Sequence, residues 1–171
     1  MIRPLRHTVL RALFAATTLC GAVALLALPA SAARASSPIS AASLDCTIAL
    51  TVDIHPGITP PLRHVALTTH GFTATADCTG TIGGATVTGA GVFGLSEADT
   101  ADCISASGQG EFVLQVPTTD GIKTVAGAFS SVGAVLSGDM TGTGVVTALV
   151  GDCVTTPRTS VSAVDTVHIG P

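Results

Sequence analysis

Apolar and polar residues alternate with a period of two along much of this chain, most plainly from Leu44 to Ile54. Leu44, Cys46, Ile48, Leu50, Val52 and Ile54 fall on one side, with Asp45, Thr47, Thr51 and Asp53 on the other. A second such stretch runs from Ile104 to Val116, where Phe112, Leu114 and Val116 oppose Ser105, Ser107, Gln109, Glu111 and Gln115. Successive side chains of a strand point to opposite faces, so this spacing predicts half-buried strands of an antiparallel sheet.

Weaker strands are expected near 63–78, 84–94, 121–130, 132–139, 142–150 and 159–169. In the first of these, Val65 and Leu67 share one phase, whereas Phe72, Ala74 and Ala76 share the other. An extra residue reverses the facing of a strand, so a bulge near His70-Gly71 is predicted. Pro56-Gly57, Pro60-Pro61, Gly83-Gly84 and the segment 151–157 mark turns, and Asp120-Gly121 is the strongest two-residue hairpin signal. No long stretch carries a helical period. About eight strands joined by short turns predict an all-β fold: one antiparallel domain over residues 44–170, either a β-sandwich or a β-barrel.

Glycines recur at i and i+2 in Thr88-Gly89-Ala90-Gly91, Ser107-Gly108-Gln109-Gly110 and Thr141-Gly142-Thr143-Gly144. Each pair strips one strand face of side chains, which suits a tightly curved sheet and could also floor a ligand cavity.

The N-terminus follows a different pattern. Arg3, Arg6 and Arg11 precede an uncharged run from Ala12 to Leu28, and Pro29 is followed by the small-residue triplets Ala30-Ser31-Ala32 and Ala33-Arg34-Ala35. This is the layout of a secretory signal over residues 1–35, with cleavage expected before Ala33 or Ser36 and a flexible segment over 36–43. The uncharged run lies at the short edge of what spans a bilayer, so a retained anchor is the rival reading; with the signal removed, no stable membrane insertion is expected. Cleavage before Ser36 removes Cys20 and leaves three cations, Arg63, Lys123 and Arg158, against eleven acidic residues, a formal charge of −8. Such a chain offers no basic footprint to phosphate, which excludes nucleic acid as a partner.

Cys46, Cys78, Cys103 and Cys153 then form an even set in a chain expected to be secreted, where disulfides persist. Three connectivities are possible; the strand layout favours Cys46–Cys78 and Cys103–Cys153. The long gaps between these cysteines do not suit a zinc site, which wants short paired spacings.

No catalytic, cofactor-binding or metal-binding residue is assigned. Gly89, Gly91 and Gly94 satisfy a dinucleotide fingerprint literally, yet no helix pattern follows them. His55, His64 and His70 on the first hairpin, with His168 near the C-terminus, read as surface histidines rather than metal ligands. Glu97, Asp99 and Asp102 read as a solvated acidic turn before Cys103, without the spacing of a calcium loop. Gly127-Ala128-Phe129-Ser130 falls short of a nucleophile elbow, no pair of acids across a cleft can be argued, and there is no Trp or Tyr for a sugar or base platform.

The stretch Cys78-Thr79-Gly80-Thr81, the glycine-rich strands and the stretch Gly151-Asp152-Cys153-Val154-Thr155-Thr156-Pro157 resemble a loose group of small secreted actinobacterial proteins. The resemblance implies an exported β-rich domain with paired cysteines, and carries no functional residue. The reading is a secreted, non-enzymatic β domain with a binding or structural role. It would present loops 55–61, 95–102 and 151–158 to a protein or cell-surface partner. The alternatives are a barrel carrying a small apolar ligand and, third, a secreted hydrolase.

Overall fold

The computed structural model describes residues 39–171. The expected export signal over 1–35, Cys20 and residues 36–38 lie outside the described residues. A single 3-10 turn, Ile39–Ala41, leads directly into the first strand, β1 (Ala42–Ile58). The first strand therefore starts before the expected boundary at residue 44, because Ala42 is buried and pairs with Ile82.

Nine further strands follow: β2 (Arg63–Thr68), β3 (Ala74–Ile82), β4 (Ala85–Thr86), β5 (Gly91–Ala101), β6 (Ala106–Thr118), β7 (Gly121–Val132), β8 (Val135–Gly138), β9 (Met140–Val150) and β10 (Arg158–Ile169). Every pairing is antiparallel, as the alternation predicts. The sheet order is β10-β9-β8-β7-β6-β5-β2-β1-β3-β4, and β1 also pairs with β10. That last seam closes the sheet on itself through β1, with the short β4 left outside the ring, so the open choice falls to a barrel.

The predicted strand 63–78 is broken where its phase slips. Thr68 faces Asp53 and Thr75 faces Ala49, so seven steps on this strand oppose four on β1. The three extra residues bulge out between β2 and β3, which otherwise fill one position between β1 and β5. The bulge folds onto β5: Leu95 N–H donates to Thr69 Oγ1 at 3.0 Å, and Thr69 Oγ1 donates to the Gly71 carbonyl at 3.0 Å. A Cβ at Gly94 would stand 2.7 Å from that carbonyl, so Gly94 serves this close approach rather than a dinucleotide.

Other boundaries shift as well. The expected strand 84–94 is instead the two-residue β4, a bend, and the first residues of β5. Ile104 lies in a turn and is almost wholly exposed. The hairpin joining β6 to β7 turns on Thr119 and Asp120, one residue earlier than Asp120-Gly121, with Gly121 at φ +101°.

The inward positions pack one end of the barrel densely. Leu44, Ile82, Phe93, Phe112, Leu114 and Ile169 are each at most 1 % exposed. The Phe93 and Phe112 rings stack with centroids 5.9 Å apart. Both expected disulfides are present. Cys46–Cys78 joins residues directly opposite on β1 and β3, and Cys103–Cys153 ties the β5–β6 turn to the β9–β10 loop.

Candidate functional site

The opposite end of the barrel is not filled. A half-open cavity of about 360 Å³ occupies its interior beneath the β5–β6 turn, the β7–β8 hairpin and the start of β10. Leu50, Val52, Leu67, Phe129, Met140 and Val161 form its apolar wall. Into the same space project Glu97, Asp99, Asp165, Ser131 and Arg158.

The carboxylates arrive there by strand phase. On β5, Phe93, Leu95, Glu97, Asp99 and Ala101 alternate inward, and on β10 Asp165 stands between inward-facing Ala163 and Val167. Glycines on the neighbouring strands make the room. Gly108 of β6 is the register partner of Asp99, and a Cβ there would lie 1.8 Å from Asp99 Oδ1. Gly144 of β9 is the partner of Asp165, and a Cβ there would lie 1.9 Å from Asp165 Oδ1. Opposite Glu97, Gly110 admits the Phe129 ring, whose Cζ would stand 2.6 Å from an added Cβ. Two of the three glycine pairs seen in the sequence thus shape this cavity.

Burial sets the electrostatics. Asp99 is only 5 % exposed, and its Oδ1 has no hydrogen-bond partner. Desolvation, then the charge of Glu97 and a hydrogen bond with it, push the Asp99 carboxyl up to about 7. Asp165 is pushed up to about 6 by burial and, secondarily, by the charge of Glu97. Glu97 itself accepts a short hydrogen bond from Ser131 Oγ. Arg158 does not neutralise this group: among the described residues, the carboxylate ion pairs are His70–Asp53 and His168–Asp45. Its Nε is buried without a partner. The arrangement can hold and release a proton near neutral pH, and it can accept hydrogen bonds from a guest.

The Cys103–Cys153 bond fastens two loops beside this cavity, and Cys103 lines it. Each cysteine sits in a turn organised by the aspartate before it. Asp102 Oδ1 accepts from the backbone N–H of Ile104 and Ser105 at 2.9 and 2.8 Å. Asp152 Oδ1 accepts from those of Val154, Thr155 and Thr156 at 3.0, 2.8 and 2.9 Å. The hydrogen bonds hold both carboxyls below the ordinary range. Asp45 and Asp77 likewise precede Cys46 and Cys78, so every cysteine of the domain follows an aspartate.

The expected acidic turn is therefore corrected. Glu97 and Asp99 belong to β5 and face inward, and Asp102 alone lies in the turn. The expected loop 95–102 is mostly strand, and residues 55–58 belong to β1. The chain alone offers no argument for acids paired across a cleft; in the fold, Glu97 lies close enough to Asp99 and Asp165 to raise both carboxyls. The histidines spread over the surface: His70 Nε2 lies 2.6 Å from Asp53, His168 Nδ1 3.0 Å from Asp45, and His64 Nδ1 3.1 Å from Thr100 Oγ1. Among the described residues, no three His, Cys, Asp or Glu side chains are grouped to hold a metal.

Asp165, Ser131 and Arg158 are not singled out by sequence motifs. One signal would have found Asp165: it occupies an apolar phase, in the order Val161, Ala163, Asp165, Val167, Ile169. No helix among the described residues is long and apolar enough to cross a membrane, and the two disulfides suit an oxidising compartment. No family model, curated protein or solved structure matches the chain.

Proposed function

We propose that this protein is a secreted, non-enzymatic binding domain whose barrel carries a small ligand in its half-open end. One observation supports this reading above the rest. A barrel packed to near-closure at one end leaves about 360 Å³ unfilled at the other, within the range of small-molecule sites. A purely structural barrel would fill that space with side chains, as its other end does. The disulfide beside the opening keeps its rim in place, which suits a preformed pocket.

The test is native mass spectrometry of the disulfide-intact protein recovered from its producer's medium, beside an Ala163→Phe variant. Ala163 is buried in the cavity wall, and a phenyl ring there would occupy the void. A reproducible added mass that disappears in the variant is expected. An added mass that survives the filled cavity, or a bare chain in both samples, removes the carrier reading.

A second reading makes the cavity acids a hydrolytic pair, favoured by the raised Asp99 and Asp165 carboxyls. It requires turnover of a glycoside or ester substrate that both Glu97→Gln and Asp165→Asn abolish. Binding without turnover rejects it.

A further inference from the structure

We propose that the free edge of β9 is a self-association site, where residues 146–150 pair antiparallel with the same strand of a second copy. This inference is independent of the carrier reading, although the pairing would complete the wall of the same cavity.

The edge arises because β8 is short. It pairs with β9 only at Val135–Thr143 and Leu136–Gly142, and the last bond runs from Gly144 N–H to the Ala134 carbonyl at 2.9 Å. Beyond that bond β9 continues to Val150, paired with β10 alone among the described residues. Alternate residues of a strand turn their N–H and C=O groups to the same side, so Val146 and Ala148 follow Gly144 and point theirs away from β10. Gly133 and Ala134 line the cavity on one side of this gap, and Val146 lines it on the other. The barrel lacks a stave there.

Proteins usually guard such an edge with lysine, proline or an inward charge. Residues 131–138, 140–150 and 159–164 contain none of these. The one irregularity is a bulge that leaves Leu149 unpaired between Ala148 and Val150. Val132, Val135, Val145, Leu149, Val150 and Val164 are each more than half exposed, as is Val146 on the cavity side. Val132 faces Val135 and Val145 faces Val164 in the register, so the patch is continuous across four strands. These side chains expose roughly 600 Å² together, more than scattered surface residues do and near the about 800 Å² that each partner buries in a stable pair.

Charge and shape select a second copy as the occupant. The described residues carry eleven acids against three Lys and Arg, so two copies repel one another except where charge is absent, as it is on this patch. A two-fold axis through Ala148 sets the strand against its own image, with Val146 opposite Val150. The β7–β8 hairpin blocks the edge at Gly144, and Gly151, at φ +84°, turns the chain away after Val150. Residues 146–150 of the second copy, running in reverse, fit between those stops. The contact uses the same surface on both copies, so the pair closes and leaves this edge covered.

The test is sedimentation velocity of the disulfide-intact protein at about 1 to 100 μM, with amide hydrogen exchange at both ends of that range. A dimer that dissociates on dilution is expected, with the Val146 and Ala148 amides at least about tenfold more protected at the higher concentration. Ala148→Pro removes a donor on the free side without breaking a β9–β10 bond, and Val150→Lys places a charge on the edge. Each should weaken the dimer at least about tenfold. Ile122→Lys, also exposed but at the far end of β7, should leave it unchanged. Circular dichroism checks folding, and Val150→Lys decides alone if the proline variant does not fold. A monomer throughout the range overturns the proposal and leaves the edge to an extended segment of another protein. A dimer that survives both edge variants, or in which Val146 and Ala148 exchange freely, overturns the choice of this edge. Polymers larger than a dimer overturn the closed pair. None of these outcomes bears on the carrier reading, which the native ligand mass decides.

Discussion

Replacing Asp99 by asparagine should stabilise the ligand-free protein at alkaline pH, an unusual outcome for a buried polar residue. Asp99 is 5 % exposed, and its carboxyl titrates near 7 in the fold against 3.8 when unfolded. Between those values the folded state binds the extra proton, so stability falls as pH rises through the window. The shift corresponds to about 4 kcal/mol once pH passes the folded value. Asparagine is isosteric and never ionises, so it escapes that loss. Its amide must still find acceptors, with Glu97 the nearest, so about 2–4 kcal/mol is the expected gain, roughly 6–15 °C in Tm. Urea unfolding of both proteins across about pH 4 to 8 would measure it. The two curves should lie close together at the acid end and separate steadily upward. Asp102 and Asp152 do not obscure this: their lowered carboxyls stabilise fully above the unfolded value, and that contribution is lost only as pH falls below it. A wild-type protein that gains stability from pH 5 to pH 8, or an asparagine variant no more stable at pH 8, would refute the argument.

Three further outcomes are expected. Gly108→Ala should destabilise by about 2–3 kcal/mol in thermal melts, because its Cβ would meet a backbone carbonyl at 2.5 Å as well as Asp99. Gly144→Ala should cost less, since its close contact is only the end of the Asp165 side chain rather than backbone; equal losses would contradict this difference. The double variants C46S/C78S and C103S/C153S, opening loops of 32 and 50 residues, should each lose up to about 4 kcal/mol in urea titrations, but only the second should loosen amide exchange around the cavity. Leu149→Lys, on the exposed end of β9, should leave the Tm within about 2 °C while reducing aggregation on heating, as read by light scattering.

Much of the fold is legible in the chain because its strands obey a simple rule. Leu44 to Ile54 alternate except at the small Ala49, and every even position there is buried. The slip between Leu67 and Ala74 also announced itself, since apolar residues changed phase. Closure of the sheet was not legible, because it depends on β1 meeting β10 from the far end of the chain. The cavity acids escaped for a different reason. Local polarity makes Ser96-Glu97-Ala98-Asp99 read as a loop, yet Phe93 and Leu95 set a phase that Glu97 and Asp99 continue. Tertiary context overrode composition there. The glycine pairs carried the missing half of the message, because Gly108 and Gly144 are empty where the aspartates need space.

The seam between β1 and β10 also orders events in time. In a chain made from its N-terminus, Leu44 must wait for Ile169, about 125 residues and roughly 6–25 s of synthesis later. Until then Leu44, Cys46 and Ile48 lack one of their two neighbouring strands, and closure by such distant pairing is slow. Cys46 and Cys78 can meet early, within the first hairpin, whereas Cys103 has no partner until Cys153 emerges. The last strand therefore acts as a delay: the polypeptide stays threadable for as long as it is incomplete, and becomes a ring when its final residues arrive.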